Sequence, residues 1–294
     1  MPETASGSSP VAAPLVTVAC CQVALSVGDV SGNRSRTRAA ILRAAAAGAQ
    51  VVVVPELANT GYMFADLSEL QGVAEPLDGP TVQEWTELAR DHQLIVVGGL
   101  AEKGTGGVVY NTAVLLDESG LRASYRKVHL WDNEKNNLFT AGSDLPPVVD
   151  TALGRIGVMV CYDLEFPEWV RMAALEGAEL LCAPVNWPLF PRPDGERPNE
   201  VIKVQADASV NRMFIAVADR TGCERGQDWL GGSVIVDADG YPLTTLALGV
   251  EGVHMAAINL ADARNKYVST GNHVHADRRA ELYAPRSSNP TPGD

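Results

Sequence analysis

Short apolar runs alternate along the chain with stretches whose apolar residues recur at helical spacing. Four consecutive valines, Val51 to Val54, form the plainest of the runs. Gly154 to Val160, Leu180 to Pro184 and Met213 to Ala218 are similar. Strands that are apolar on both faces belong in a sheet covered on both sides. Leu15 to Val23, Leu94 to Leu100, Gly232 to Asp237, Thr244 to Ala247 and Gly252 to Leu260 extend the set of expected strands. Tyr110 to Asp117 and Leu121 to Tyr125 flank Glu118–Gly120 and read as a hairpin. Helical spacing marks Ser31 to Ala47, Thr81 to His92, Pro167 to Gly177 and Pro198 to Ala208; Ser31 is the expected N-cap of the first, and Gly48 its stop. Strands and helices alternate with hairpins interspersed, which predicts a layered α/β domain with mixed sheets. No linker interrupts residues 15–284, so one domain is expected there. The Ser-, Pro- and Ala-rich segment 1–14 reads as a disordered extension and residues 285–294 as a flexible tail.

Three of the expected strands end in residues that a purely structural role does not require. Glu56 follows the valine run. A carboxylate there is either a solvated loop acid or a desolvated base with a raised pKa. Lys127 and His129 follow the hairpin on one face of the alternation; as a pair they are either a surface basic patch or a fixed positive charge. Cys161 ends the run Gly157 to Val160, and Tyr162 and Asp163 break the apolar pattern at once. This layout brings an exposed thiol to a sharp turn ahead of the helix at Pro167, whose N-terminus would favour thiolate. Sites in α/β sheets gather at the carboxyl ends of strands. A nucleophile, a proton acceptor and a cation at three such ends are the parts that acyl transfer requires.

The segments around these residues resemble the carbon–nitrogen hydrolase (nitrilase-like) family over about Leu15 to Tyr283. Pro55-Glu56-Leu57 with Gly61-Tyr62, Tyr125-Arg126-Lys127-Val128-His129-Leu130, and Cys161-Tyr162-Asp163-Leu164-Glu165-Phe166-Pro167-Glu168 occur in the family's order. The resemblance implies a single-domain, four-layer α-β-β-α sandwich. It also implies Glu56, Lys127 and Cys161 as base, oxyanion stabiliser and nucleophile. Glu134 matches the family's second glutamate, which holds the lysine and the substrate nitrogen in place. The sequence departs from the family's Arg-Ala-x-Glu-Asn element, for which it has Asp207-Ala208-Ser209-Val210-Asn211. That departure bears on local contacts and assembly rather than on catalysis. The Cys-Tyr-Asp context and His129-Leu130-Trp131 resemble the branch acting on small aliphatic amides, including ω-amino amides. N-carbamoyl amine hydrolysis and nitrile hydrolysis are the alternatives within the family, and a non-catalytic binding protein is the alternative outside it. Tyr62, Tyr162, Asn186 and Trp187 are the candidate substrate-binding residues, and Pro188 to Pro198 reads as a mobile rim loop.

Charge and cysteine usage narrow the setting. A formal net charge of -13 argues against nucleic acid, which needs clustered Lys and Arg. The five cysteines are odd in number and lack metal-like spacing, so a disulfide framework or zinc site is not expected and a reducing cytoplasm is. The expected scheme needs no metal or organic cofactor, and His273 and His275 read as a solvated or interface segment rather than as a metal site. No run of about 18 apolar residues suggests a membrane span. The expected partner is a small-molecule amide, and the resemblance implies a homodimer or larger homo-oligomer.

Overall fold

Alternate residues of the first strand face two different cores. In the computed structural model, which describes residues 14–136 and 138–283, β1 (Val16–Ala24) points Val16, Val18 and Cys20 toward a second sheet. Ala19, Cys21 and Val23 point the other way, onto helices. The period-2 alternation of a strand with no polar face is what places this sheet in the interior of a layered fold.

The first sheet is built from β1, β2 (Val51–Val53), β3 (Ile95–Lys103), β4 (Val109–Asp117) and β5 (Gly120–Arg126) in that order. β1, β2 and β3 run parallel, and β3, β4 and β5 are antiparallel neighbours. Helices α1 (Val30–Ala46) and α3 (Pro80–His92) cover its outer face through Ala40, Ile41, Ala44, Trp85 and Leu88, while the short α2 (Leu67–Val73) lies beside it. The second sheet contains β6 (Val148–Asp150), β7 (Arg155–Val158), β8 (Leu180–Pro184) and β9 (Phe214–Ala218). α4 (Pro167–Leu175) and α5 (Asn199–Asn211) pack on it with Val170, Ala173, Val201 and Val204. The four-layer α-β-β-α sandwich is therefore present. After β9 the chain crosses at Asp219 to β10 (Arg220–Thr221), which pairs with β1, so one strand path stitches the two sheets together. A small hairpin, β11 (Cys223–Glu224) and β12 (Gln227–Asp228), leads to β13 (Val234–Val236) beside β9. β14 (Gly252–Ile258) then closes the remaining edge of β1.

Two expectations are corrected. The first helix is capped by Asp29, whose side chain accepts from Gly32 N, and not by Ser31, which lies inside the first turn. Asp is as good a cap as Ser, and it stands two residues earlier. Thr244 to Ala247 forms no strand. Pro242 has no N–H for a ladder, and the carbonyl of Ala247 is taken by the Gln22 side chain at 2.8 Å. Segment 1–14, apart from Pro14, and tail 285–294 lie outside the described residues. Among those residues no helix is long and apolar enough to cross a membrane.

Candidate active site

Glu56 is placed by a tight backbone arrangement at the end of β2. Val54 N donates to Val97 O, Leu57 adopts a left-handed φ of 47°, and Ala58 N donates to Gly99 O at 2.7 Å. Gly99 is required here because of proximity. A Cβ on it would lie 2.6 Å from Glu56 Cα and 2.7 Å from Leu57 N. Backbone cannot yield as a flexible side chain can. Gly99→Ala is expected to cost about 1–3 kcal/mol of stability through overpacking. It should also cut activity by about 10²-fold, the scale set by a displaced catalytic group. Urea melts beside steady-state rates check this, and a variant that matches wild type in both would show that the turn is not constrained in this way.

Lys127 comes directly after β5, anchored by its N–H on Asn111 O and by its carbonyl on Gly142 N. Its ammonium is fully buried, 2.8 Å from Glu56 Oε1 and 2.8 Å from Glu134 Oε2. Glu134 is held in turn by Trp131 N at 2.6 Å. Asn111, on β4, bridges the two carboxylates, its Nδ2 donating to Glu56 Oε1 at 2.7 Å and Glu134 Oε1 at 2.8 Å. Burial pushes the Glu56 carboxyl above the usual carboxylate range; Lys127 opposes this and the neighbouring Glu134 adds to it. Burial works against the Lys127 charge as well. The two glutamates outweigh it and hold the ammonium well above its ordinary pKa.

Cys161 follows β7 with a left-handed φ of 45°. A non-glycine residue in that region stores roughly 1–3 kcal/mol and marks a position that the surrounding structure over-determines. The turn is held by Asp163, buried and accepting from Tyr125 Oη at 2.9 Å and His129 N at 3.0 Å, with His129 Nδ1 2.7 Å away. The thiol differs from expectation. It is 8% exposed, not open, and a single 3₁₀ turn, Cys161–Glu165, separates it from α4. Burial pushes its pKa well above the usual thiol value, the Glu56 carboxylate pushes further, and Lys127 only partly opposes them. Burial and the Glu56 carboxylate thus favour the thiol form of Cys161 over the thiolate. Asn186 ties Cys161 to Glu56: Asn186 Nδ2 donates to Glu56 O at 2.9 Å, while the Asn186 backbone carbonyl lies 4.0 Å from Cys161 Sγ.

Sequence reasoning thus named residues that the structure brings together. Glu56, Lys127 and Glu134 form one buried cluster whose charges act on Cys161. Tyr62, Tyr162, Asn186 and Trp187 all line the cavity that opens on Cys161. It missed Asn111, Asp163, Trp131, Glu165 and Glu200, the last three also lining that site or bracing it. A lone asparagine in the apolar run of β4 was the available signal for Asn111. It also missed the buried Arg220–Glu224 pair. Glu224 Oε2 accepts from Tyr62 N and Met63 N at 2.9 and 2.8 Å and so fixes the Tyr62 loop.

With this geometry in hand, comparison with known proteins decides the family. The family model described as carbon-nitrogen hydrolase matches residues 17–266. The chain belongs to the carbon–nitrogen hydrolase family. Among the relatives of this carbon–nitrogen hydrolase, a protein of Pyrococcus abyssi named nitrilase is 36% identical over 92% of this chain and 99% of its own length. A 2-oxoglutaramate amidase of Bacillus subtilis is 31% identical over 91% and 99%. A solved amidase from Nesterenkonia sp. AN1 superposes with a TM-score of 0.75 at 29% identity, covering 94% of this chain and 98% of the other. In that structure the acetamide moiety of fluoroacetamide is covalently attached to the active-site cysteine.

Proposed function

We propose that this carbon–nitrogen hydrolase converts a small aliphatic amide into the carboxylic acid and ammonia through a thioacyl intermediate on Cys161. The observation that carries the reading is the closed Glu56–Lys127–Glu134 cluster, whose charges act on the cavity-lining thiol of Cys161. Glu56 Oε2 is buried and has no hydrogen-bond partner, which leaves it free to take a proton. Because the thiol form of Cys161 is favoured, its proton passes to Glu56 as sulfur attacks the carbonyl. Lys127 and the backbone N–H of Tyr162 stabilise the oxyanion, each such donor contributing about 10²–10³ in rate. Glu56 returns the proton to the departing ammonia. It then deprotonates the water that cleaves the thioester, and the released sulfur regains its proton. Glu134 keeps Lys127 oriented, and Tyr62, Tyr162, Asn186 and Trp187 shape the pocket.

Two further parts of the reading have their own support. Met172 and Leu175 on α4 and Ile202 and Val210 on α5 remain exposed, which favours a homodimer or larger homo-oligomer. All five cysteines are free thiols, as a reducing cytoplasm requires.

The test is a panel of small linear amides, N-carbamoyl amines and nitriles, with ammonia and carbon dioxide measured together. Ammonia without carbon dioxide from the amides is expected, together with a trapped acyl mass on the peptide that contains Cys161. Equimolar carbon dioxide would instead establish carbamoyl hydrolysis, and preferential turnover of nitriles would establish a nitrilase.

A further inference from the structure

Val109, Ala113 and Leu115 occupy alternate positions of β4 and are buried in apolar clusters. Period-2 alternation puts Asn111 in the same row, where the pattern calls for another apolar side chain. Asn111 is fully buried and lines neither the cavity over Cys161 nor the one beside Glu134. What it touches is the charge cluster, and it does so twice over. Its backbone carbonyl accepts from Lys127 N at 2.8 Å. Its Nδ2 donates to Glu56 Oε1 at 2.7 Å and to Glu134 Oε1 at 2.8 Å, one N–H for each carboxylate. Its Oδ1 is buried without a partner among the described residues. Turning the amide over would set that oxygen against two groups that only accept, so the carboxylates fix its orientation. A buried acceptor left unpaired costs stability, which plain core packing does not require.

The four carboxylate oxygens are not treated alike. Glu134 Oε1 takes Asn111 Nδ2 and, at 3.0 Å, Lys127 Nζ, while Glu134 Oε2 takes Trp131 N and Lys127 Nζ. Glu56 Oε1 likewise takes two donors, Asn111 Nδ2 and Lys127 Nζ. Glu56 Oε2 alone takes none. Two carboxylates around one ammonium are coupled and would otherwise compete for an arriving proton. We propose that Asn111 is a positioning residue: by clamping Glu56 Oε1 and Glu134 Oε1 with its two N–H bonds, it keeps both carboxylates ionised before attack and directs the Cys161 proton to Glu56 Oε2. This rests on the amidase reading above and adds a residue to its machinery. A neutral amide suits the task, because it donates twice and has no titratable proton of its own to exchange. Burial pushes the Glu56 carboxyl up, Lys127 opposes it, and the Asn111 hydrogen bond helps Lys127. The other titratable groups acting on Glu56 are Glu134 in the turn Asp132–Lys135, Cys161 after β7, Tyr62 after β2 and Arg220 on β10.

The experiment is the pH profile of amide hydrolysis by wild type, Asn111→Asp and Asn111→Ser. Activity should fall on the acid side as Glu56 takes up a proton. Asn111→Asp keeps the shape of the side chain, removes both N–H donors and adds a third carboxylate. Its acid limb should lie higher than that of wild type by about one pH unit or more, as a like charge at a shared site demands. Near neutral pH its kcat should be lower by about 10²-fold, the scale set by a displaced catalytic group. The loss should shrink as pH rises, and KM should change little, because Asn111 lines no part of the cavities. Asn111→Ser loses the clamp without adding charge. It should move the same limb in the same direction by less, and it keeps the test readable if the aspartate variant folds poorly. An acid limb that coincides with that of wild type, a loss equal at every pH, or a loss carried entirely by KM overturns the assignment. If wild type hydrolyses no amide, it is the amidase reading that fails. Alkylation of Cys161 by iodoacetamide, followed across pH by mass on the peptide that contains it, then still decides the role of Asn111. An acid limb displaced upward in Asn111→Asp upholds the clamp, and superposed profiles refute it.

Discussion

Cys161→Ala is expected to abolish amide hydrolysis, with a loss on the order of 10⁶-fold in kcat, the scale at which an enzyme loses its nucleophile. The proposed cycle has no substitute for the sulfur. Water could be activated by Glu56, but the acyl group would no longer be split off in two easier steps. The fold should survive. The substitution removes one buried atom, a cavity smaller than a methyl group and so worth about 1 kcal/mol or less. The turn itself is held by Asp163, through Tyr125 and the His129 backbone, and not by the thiol. Rates measured beside thermal unfolding separate the two effects. A folded alanine variant that keeps turnover within about 10²-fold of wild type, no more than the loss of one oxyanion donor, would remove Cys161 from the role of nucleophile.

The candidate for that role was legible in the sequence because the polar residues sit where strand pattern and polarity conflict. Glu56 ends a run of valines, and Cys161 is followed by Tyr162 and Asp163 where the apolar pattern would otherwise continue. The layered fold was legible for a related reason. β2, β8 and β9 are apolar on both faces, which only a sheet covered on both sides can accommodate. What the sequence concealed was depth. Nothing in Gly157 to Asp163 tells whether the thiol meets solvent, and it proved to be buried and separated from α4 by a 3₁₀ turn. Strand alternation could not place Lys127 either, because β5 ends at Arg126 and the ammonium is positioned by Glu56 and Glu134 instead. Glu200 escaped notice for the opposite reason. An acid in the first turn of a helix is ordinary, favoured by the dipole whatever it faces. Only the packing of α5 beside the Cys161 cavity shows that it lines the site.

The buried charge cluster makes the second large prediction. Lys127→Met should destabilise the protein by about 3–5 kcal/mol near neutral pH, the cost of leaving a buried charge without its partner. Catalysis should fall as well, by about 10²–10³-fold, the loss of one oxyanion donor. The stability loss has a defined pH dependence. Burial already holds Glu56 above the usual carboxylate range, Lys127 is what opposes it, and Glu134 pushes in the same direction as burial. Without the ammonium, Glu56 rises further. A carboxyl whose folded-state pKa lies above its unfolded value favours folding below the unfolded value, about 4.3, and that contribution is lost as pH climbs through the folded value. The difference between variant and wild type should therefore be smallest near about pH 5 and largest near about pH 8. Urea denaturation at the two pH values measures it. Adding Glu134→Gln to the variant should recover part of the loss at the higher pH, because one of the two facing carboxylates is then neutral, and it keeps the test readable if the single variant folds poorly. A penalty equal at both pH values would mean that the methionine acts through shape alone. In that case the ammonium would not be what opposes the effect of burial on Glu56.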